Sequence, residues 1–217
     1  MTRAEIRTLQ RLLLALGHDP GDVDGLWGPR TRAALTAAER EYRTPSPAPV
    51  PAQPSPALPR FPAVTRQAVT ATFGPAGGPA ATRGRCQLPF PFPLAWDTGS
   101  RISSFACHEK LAGVMTAVFA EAARHYGESE FRRLRLDQFG GCFNHRPVRG
   151  GTTLSIHSWG AAVDTDPINN GLHTPTSRAW LARPEYEPWW RIVEVTGARP
   201  LGRRINRDWM HWSYVQE

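Results

Sequence analysis

The stretch that decides the architecture runs from Thr44 to Arg60 and reads TPSPAPVPAQPSPALPR. Seven of its seventeen residues are proline. Proline fixes φ and removes a backbone donor, and the rest of the stretch has almost no apolar bulk. An extended, semi-rigid polyproline-type spacer is expected. A Pro-rich ligand for another domain is the competing reading. The spacer divides the chain into a head, residues 1–43, and a body, residues 61–217.

Working outward, the two parts differ in charge. The head carries seven basic and six acidic groups, while the body carries 18 against 13. With Arg60 this gives the formal charge of +7. A basic body favours anionic partners, whether nucleic acid, a membrane surface or an anionic polymer such as cell wall. The hydrophobic content of 41% supports a core and excludes wholesale disorder. The longest apolar run, Leu12 to Leu16, is far too short to span a bilayer. Residues 1–9 carry Arg3, Glu5 and Arg7 before any apolar stretch, unlike a secretory signal. Three cysteines (Cys86, Cys107, Cys142) without a C-x-x-C argue against a disulfide framework, although one bridge is compatible.

In the head, Thr2 and Glu5 have capping-box spacing. Ile6, Leu9, Leu12, Leu13 and Leu16 fall at helical intervals, and Gly17 suits the left-handed closing position. Pro29 suits the first turn of a second helix, with Ala33, Ala34, Leu35 and Ala38 as its stripe. Between them HDPGDVDGLWG is too polar and glycine-rich for regular structure. Leu9-Gln10, Leu13, Gly17, then Val23-Asp24-Gly25, Trp27-Gly28 and Thr31 with Ala34 keep a distinctive spacing. On these residues the head resembles the peptidoglycan-binding domain of bacterial and phage wall enzymes. The resemblance implies a small helical bundle that docks on glycan strands and their peptide stems, with Asp24 and Trp27 as candidate contacts. A generic helical hairpin is the plain alternative, since Asp24-Gly25 is an ordinary turn pair.

In the body, residues 61–100 read as loop-rich, with FGPAGGP and PFPFP segments. A helix is expected over Ser104 to Tyr126, closed by Gly127, and another over Glu187 to Val195, ended by Gly197. Strand-like pieces lie at Leu134–Phe139, Ala161–Thr165 and Trp209–Tyr214. This mixture indicates an α+β domain, a small antiparallel sheet with flanking helices.

Chemistry concentrates in SIHSWGAAVD (155–164) and DWMHW (208–212). A catalytic zinc takes three imidazole or carboxylate ligands and keeps one position open. His157, Asp164 and His211 offer such a set, with Asp208 three residues before His211. The spacing of seven from His157 to Asp164 is not a standard zinc signature, so buried core histidines and a strand-end cap explain the same residues. The pattern S-x-H-x-x-G-x-A-x-D followed by D-x-x-H resembles the zinc D-Ala-D-Ala carboxypeptidase and L-alanyl-D-glutamate endopeptidase family, which includes many phage endolysins. The resemblance implies one Zn2+ held by His157, Asp164 and His211, with Asp208 as the catalytic acidic residue. It also implies a substrate-contacting arginine within GCFNHRPVRGG (141–151), Arg146 in first place and Arg149 as competitor. Ser155, Trp159 and Trp209 are candidates for the pocket wall, with plain packing as their alternative. The implied reaction is hydrolysis of a stem-peptide amide by a zinc-activated water, whose pKa the metal brings to about 7.

The rival readings fare worse on residues. Cys107 adjoins His108 and Cys142 lies three before His145, but neighbours in sequence rarely face each other as a thiolate–imidazole pair requires. Arg132, Arg133 and Arg135 sit in no recognisable nucleic-acid-binding motif. No pair of facing carboxylates stands out for a glycosidase. A wall-binding protein whose peptidase fold has lost its chemistry is the remaining alternative. The expectation is a monomeric wall hydrolase with peptidoglycan as partner, no nucleic acid and no membrane span. It would act at the wall after release from the cytoplasm during phage or prophage lysis, or after export by another route.

Overall fold

The computed structural model describes residues 1–42 and 61–216; the proline-rich stretch lies outside the described residues. The chain forms two compact units, Met1–Pro56 and Ala57–Glu217.

The first unit holds α1 (Arg3–Ala15) and α2 (Pro29–Tyr42). The capping box forms as expected. Thr2 Oγ1 accepts from the Glu5 amide at 3.3 Å, and Glu5 Oε2 accepts from the Thr2 amide at 2.6 Å. Gly17 has φ +85, and the following amide of His18 reaches back to Leu13 O at 2.9 Å. The buried face of α1 differs from the expected stripe. Ile6, Gln10 and Leu13 point inward, while Leu12 and Leu16 are exposed. The reason is Gln10, 1% exposed, which holds the loop in place of a leucine contact. Its Nε2 donates to Asp24 Oδ1, Leu26 O and Thr31 Oγ1 at 3.1, 3.2 and 3.1 Å, and its Oε1 accepts from the Gly25 amide at 2.9 Å. Leu13, Ala34 and Ala38 make the small core.

The second unit begins with α3 (Arg66–Phe73) and α4 (Ala80–Arg83), followed by β1 (Gly84–Leu94) and β2 (Asp97–Cys107). Then come α5 (Ala112–Arg133), β3 (Phe139–Gly141), β4 (Ala162–Thr165) and α6 (Pro167–Asn170). The chain closes with α7 (Glu187–Val195), β5 (Arg199–Pro200), α8 (Leu201–Ile205) and β6 (His211–Ser213). The strands form one six-stranded sheet in the order β2-β1-β3-β4-β6-β5, antiparallel except where β1 meets β3. The α+β class holds.

Three expectations are corrected. The loop-rich reading of residues 61–100 gives way to α3, α4 and the long β1–β2 hairpin. Its register is interrupted between Gln87 and Phe92, where Pro89 and Pro91 have no amide to donate. There Phe90 and Phe92 turn onto Phe131, with ring centroids 5.3 and 5.5 Å away. The central helix starts at Ala112 rather than Ser104, because residues 104–107 complete β2. Gly127 (φ 70, ψ 157) interrupts α5 without ending it. The piece expected as a strand from Leu134 is a turn until Phe139, with Arg135 at φ +57. Met115, Val118, Phe119 and Ala122 do face the core, against Trp189 and Trp212. Among the described residues no helix is long and apolar enough to cross a membrane.

Candidate metal centre

Two strands place two of the donors. In the β4–β6 ladder Asp164 is the registered partner of His211, so their side chains leave the same face of the sheet. The third donor comes from the turn before β4. A single 3-10 turn, Ile156–Trp159, carries His157 and ends at Gly160 in the left-handed region (φ 61, ψ 28). A Cβ at Gly160 would stand 2.1 Å from Ala81 O and 2.8 Å from the His108 amide. Only glycine lets the chain reverse there, and the reversal brings His157 over Asp164 despite their awkward separation in sequence.

His157 Nδ1 lies 2.6 Å from Cys142 O, so that nitrogen carries the proton and donates. Nε2 is then left with its lone pair facing the other two residues. His157 Nε2 stands 3.2 Å from His211 Nδ1 and 3.3 Å from Asp164 Oδ1, and His211 Nδ1 is 3.1 Å from Asp164 Oδ1. All three side chains are buried and together make a group able to hold a metal ion. A tetrahedral zinc with bonds of ~2.0–2.1 Å has ligand–ligand edges of about 3.3–3.4 Å, close to these separations. Two imidazoles and one carboxylate are also the donor types zinc accepts. Burial opposes ionisation of Asp164, but the facing imidazoles of His157 and His211 outweigh it and hold the carboxyl well below the usual range.

The centre lies in a cavity of about 730 Å³ whose lining includes Arg146, Ser155, His157, Trp159, Asp164, Asp208 and His211. Most sequence-chosen residues of the body therefore converge. Asp208 is half-buried at φ +56, its amide donating to Leu172 O at 3.1 Å and its carbonyl accepting from the His211 amide at 3.0 Å. Arg146 and Arg149 both reach the cavity, and Arg146 Nη1 donates to Pro147 O at 3.0 Å. Ser155 is held by its amide, which donates to Arg146 O at 3.0 Å. Trp159 is 2% exposed, and its indole Nε1 donates to Gly74 O at 2.8 Å, so it is chiefly a packing residue. Trp209 packs against Gly202, where a Cβ would come within 2.4 Å of its ring. In the first unit, Asp24 Oδ1 accepts from Gln10 and from the Leu26 amide at 2.8 Å, while Trp27 is partly exposed.

The cavity also takes in residues the sequence did not single out: Arg66, Leu172, His173 and Arg207. Arg207 adjoins Asp208 and was within reach of the motif; Arg66 lies some ninety positions away with no signal of its own. The cysteines give no support to thiolate chemistry. All three are free and buried, and burial pushes the thiols of Cys86 to about 12 and Cys107 to about 11. His108 faces Phe73 O and the Lys110 amide instead of a thiol. The basic run is matched by acids, Arg132 with Glu128 and Asp137, Arg133 with Glu130, and Arg135 with Asp166.

No curated protein and no solved structure matches the chain, and no peptidase family is identified for it. Residues 2–46 match the family model of the peptidoglycan binding domain, which assigns the first unit to peptidoglycan association.

Proposed function

We propose that the chain is a zinc-dependent peptidoglycan hydrolase whose second unit cleaves a stem-peptide amide. The bond is of the D-Ala-D-Ala or the L-alanyl-D-glutamate type, and the first unit keeps the enzyme on the wall. The observation that carries this reading is the buried His157–Asp164–His211 cluster lining a cavity, in a chain that also has a peptidoglycan-binding domain. When bound, zinc would supply Lewis-acid activation of a water and of the scissile carbonyl.

The protein's own groups would do the rest. Cys142 O fixes the His157 tautomer, so the ring presents a lone pair without a competing proton. Asp208, on the cavity wall beside His211, would take the proton of the attacking water and return it to the departing amine. Arg146 would face the developing oxyanion or a substrate carboxylate, as Arg149 could from the same loop. Anchoring on the wall would raise the local concentration of stem peptides without adding contacts at the site.

Digestion of purified peptidoglycan, followed by mass spectrometry of the fragments, tests the reading. Loss of terminal D-alanine and scission between L-alanine and glutamate give different masses. Chelator should abolish the reaction and zinc restore it. Full turnover in chelator, or by His157→Ala or Asp208→Ala, would refute the mechanism.

A further inference from the structure

We propose that the cavity contains two separate carboxylate subsites and selects a peptide with at least two carboxylates. Arg66 and Arg207 would serve the subsite that Arg146 and Arg149 do not. This rests on the peptidase reading and narrows its substrate.

Four guanidinium groups line the cavity, and they come from three places in the chain. Arg146 and Arg149 stand on a hairpin closed by the Pro147–Leu154 bridge and by the Val148 amide donating to Thr153 O at 2.8 Å. Arg66 opens α3, and Arg207 follows α8 just before Asp208. None of the four has an ion-pair partner among the described residues. Elsewhere in the unit Arg83 pairs with Glu109, Arg124 with Glu121, Arg135 with Asp166, and Arg203 with Glu187 and Glu194; what sets the four apart is that they share one cavity. Among the described residues the lining carries two carboxylates, Asp164 and Asp208; Asp164 is engaged by the imidazoles, and Asp208 is not without a partner either.

A carboxylate has two oxygens and takes one guanidinium as a bidentate fork, with lone pairs left for a second. Four guanidinium groups on three segments exceed what one carboxylate can satisfy. Their mutual repulsion in a concave site falls only when more than one anion enters. Val64, Val69, Leu154, Leu172 and Ile205 line the same cavity. Such a surface suits short alkyl side chains between the anionic groups, as in an alanine-containing acidic peptide.

The probes are L-Ala-γ-D-Glu-(Nε-acetyl-L-Lys)-D-Ala, which has two carboxylates, and its two mono-amides. Binding is measured by calorimetry on zinc-loaded, full-length protein carrying Asp208→Asn. The diacid should bind at least tenfold more tightly than either mono-amide, and raised salt should shrink the gap. Arg66→Gln and Arg207→Gln alter exposed side chains. Each should remove most of the diacid's advantage over one mono-amide and leave its advantage over the other. Equal affinity for diacid and mono-amides, no binding of any probe, or variants that weaken all three probes alike would overturn the proposal. Hydrolysis by the unsubstituted enzyme is followed separately by mass spectrometry. Diacid selectivity without hydrolysis removes the peptidase reading and leaves the subsites; hydrolysis without selectivity does the reverse.

Discussion

Zinc should stabilise the second unit by an amount that can be worked out in advance. A ligand that binds only the folded state at a hundred times its Kd adds about 2.7 kcal/mol. The unit spans Ala57–Glu217, and for a domain of that size each kcal/mol moves Tm by about 2–4 °C. The expected rise is therefore about 5–11 °C. Intrinsic fluorescence is the suitable readout, because only Trp27 of the eight tryptophans lies in the first unit. Asp164→Ala would leave two imidazoles 3.2 Å apart with no anion between them. It should cut the zinc-induced rise to under about 2 °C at the same concentration, through loss of one of three ligands. Asp208→Asn keeps all three donors and should keep the rise, while magnesium, which prefers oxygen ligands, should give little. An unchanged Tm in excess zinc, or a rise of equal size in Asp164→Ala, would refute the assignment of these residues as a metal centre.

Four further outcomes follow from individual contacts. Gly160→Ala should cost about 2–5 kcal/mol in urea unfolding, combining a left-handed Cβ with overpacking against Ala81 O, and should weaken zinc binding because the His157 turn shifts. Asn170→Ala should destabilise by about 2–4 kcal/mol, since the fully buried Asn170 accepts from the Leu181 amide at 2.8 Å and donates to Asp166 O and Oδ2 at 2.9 and 3.2 Å. Gln10→Ala removes the acceptor of the Gly25 amide and should release the full-length protein from insoluble peptidoglycan in a sedimentation assay. Burial depresses the pKa of His108, so its contribution is present in full above the ordinary value of about 6.5. That stability is lost as pH falls from there towards the depressed folded value, and His108→Gln should flatten the difference between melts at pH 7.5 and pH 5.

The sequence was most legible where local chemistry and final structure agree. Thr2 with Glu5, Gly17, Pro29 and the helix over Glu187–Val195 all act through their near neighbours, so spacing alone identified them. It was least legible where a distant contact overrides local preference. Gln10 is buried because the Asp24–Thr31 loop needs its amide, which no apolar periodicity reveals. Pro89 and Pro91 of β1 look like breakers, yet they fall in the interrupted register of a hairpin, where their missing donors cost nothing. At the centre, the donors were readable as residue types, but their convergence was not. It depends on the β4–β6 register and on a reversal at Gly160 that only a glycine can make beside Ala81.

That construction separates two tasks. Asp164 and His211 face each other across paired strands, and His157 is held by a backbone carbonyl and a constrained turn, so the donor set rests on the sheet and the turn that precedes β4. The arginines stand on the 146–154 hairpin, at the start of α3 and on the segment after α8, none of them on the β4 and β6 strands. On the proposed reading, substitutions there would change which anions are welcome without disturbing the donors, whereas substitutions at Gly160 or within β4 would reach the donors directly. Asp208 belongs to both tasks. Its left-handed backbone joins the Arg207 segment to the β6 strand, and its amide is tied to the O of Leu172, another lining residue. On the proposed mechanism, a ligand that draws Arg207 inward would act on Asp208 through the chain, and so would couple recognition of the second carboxylate to the proton transfer.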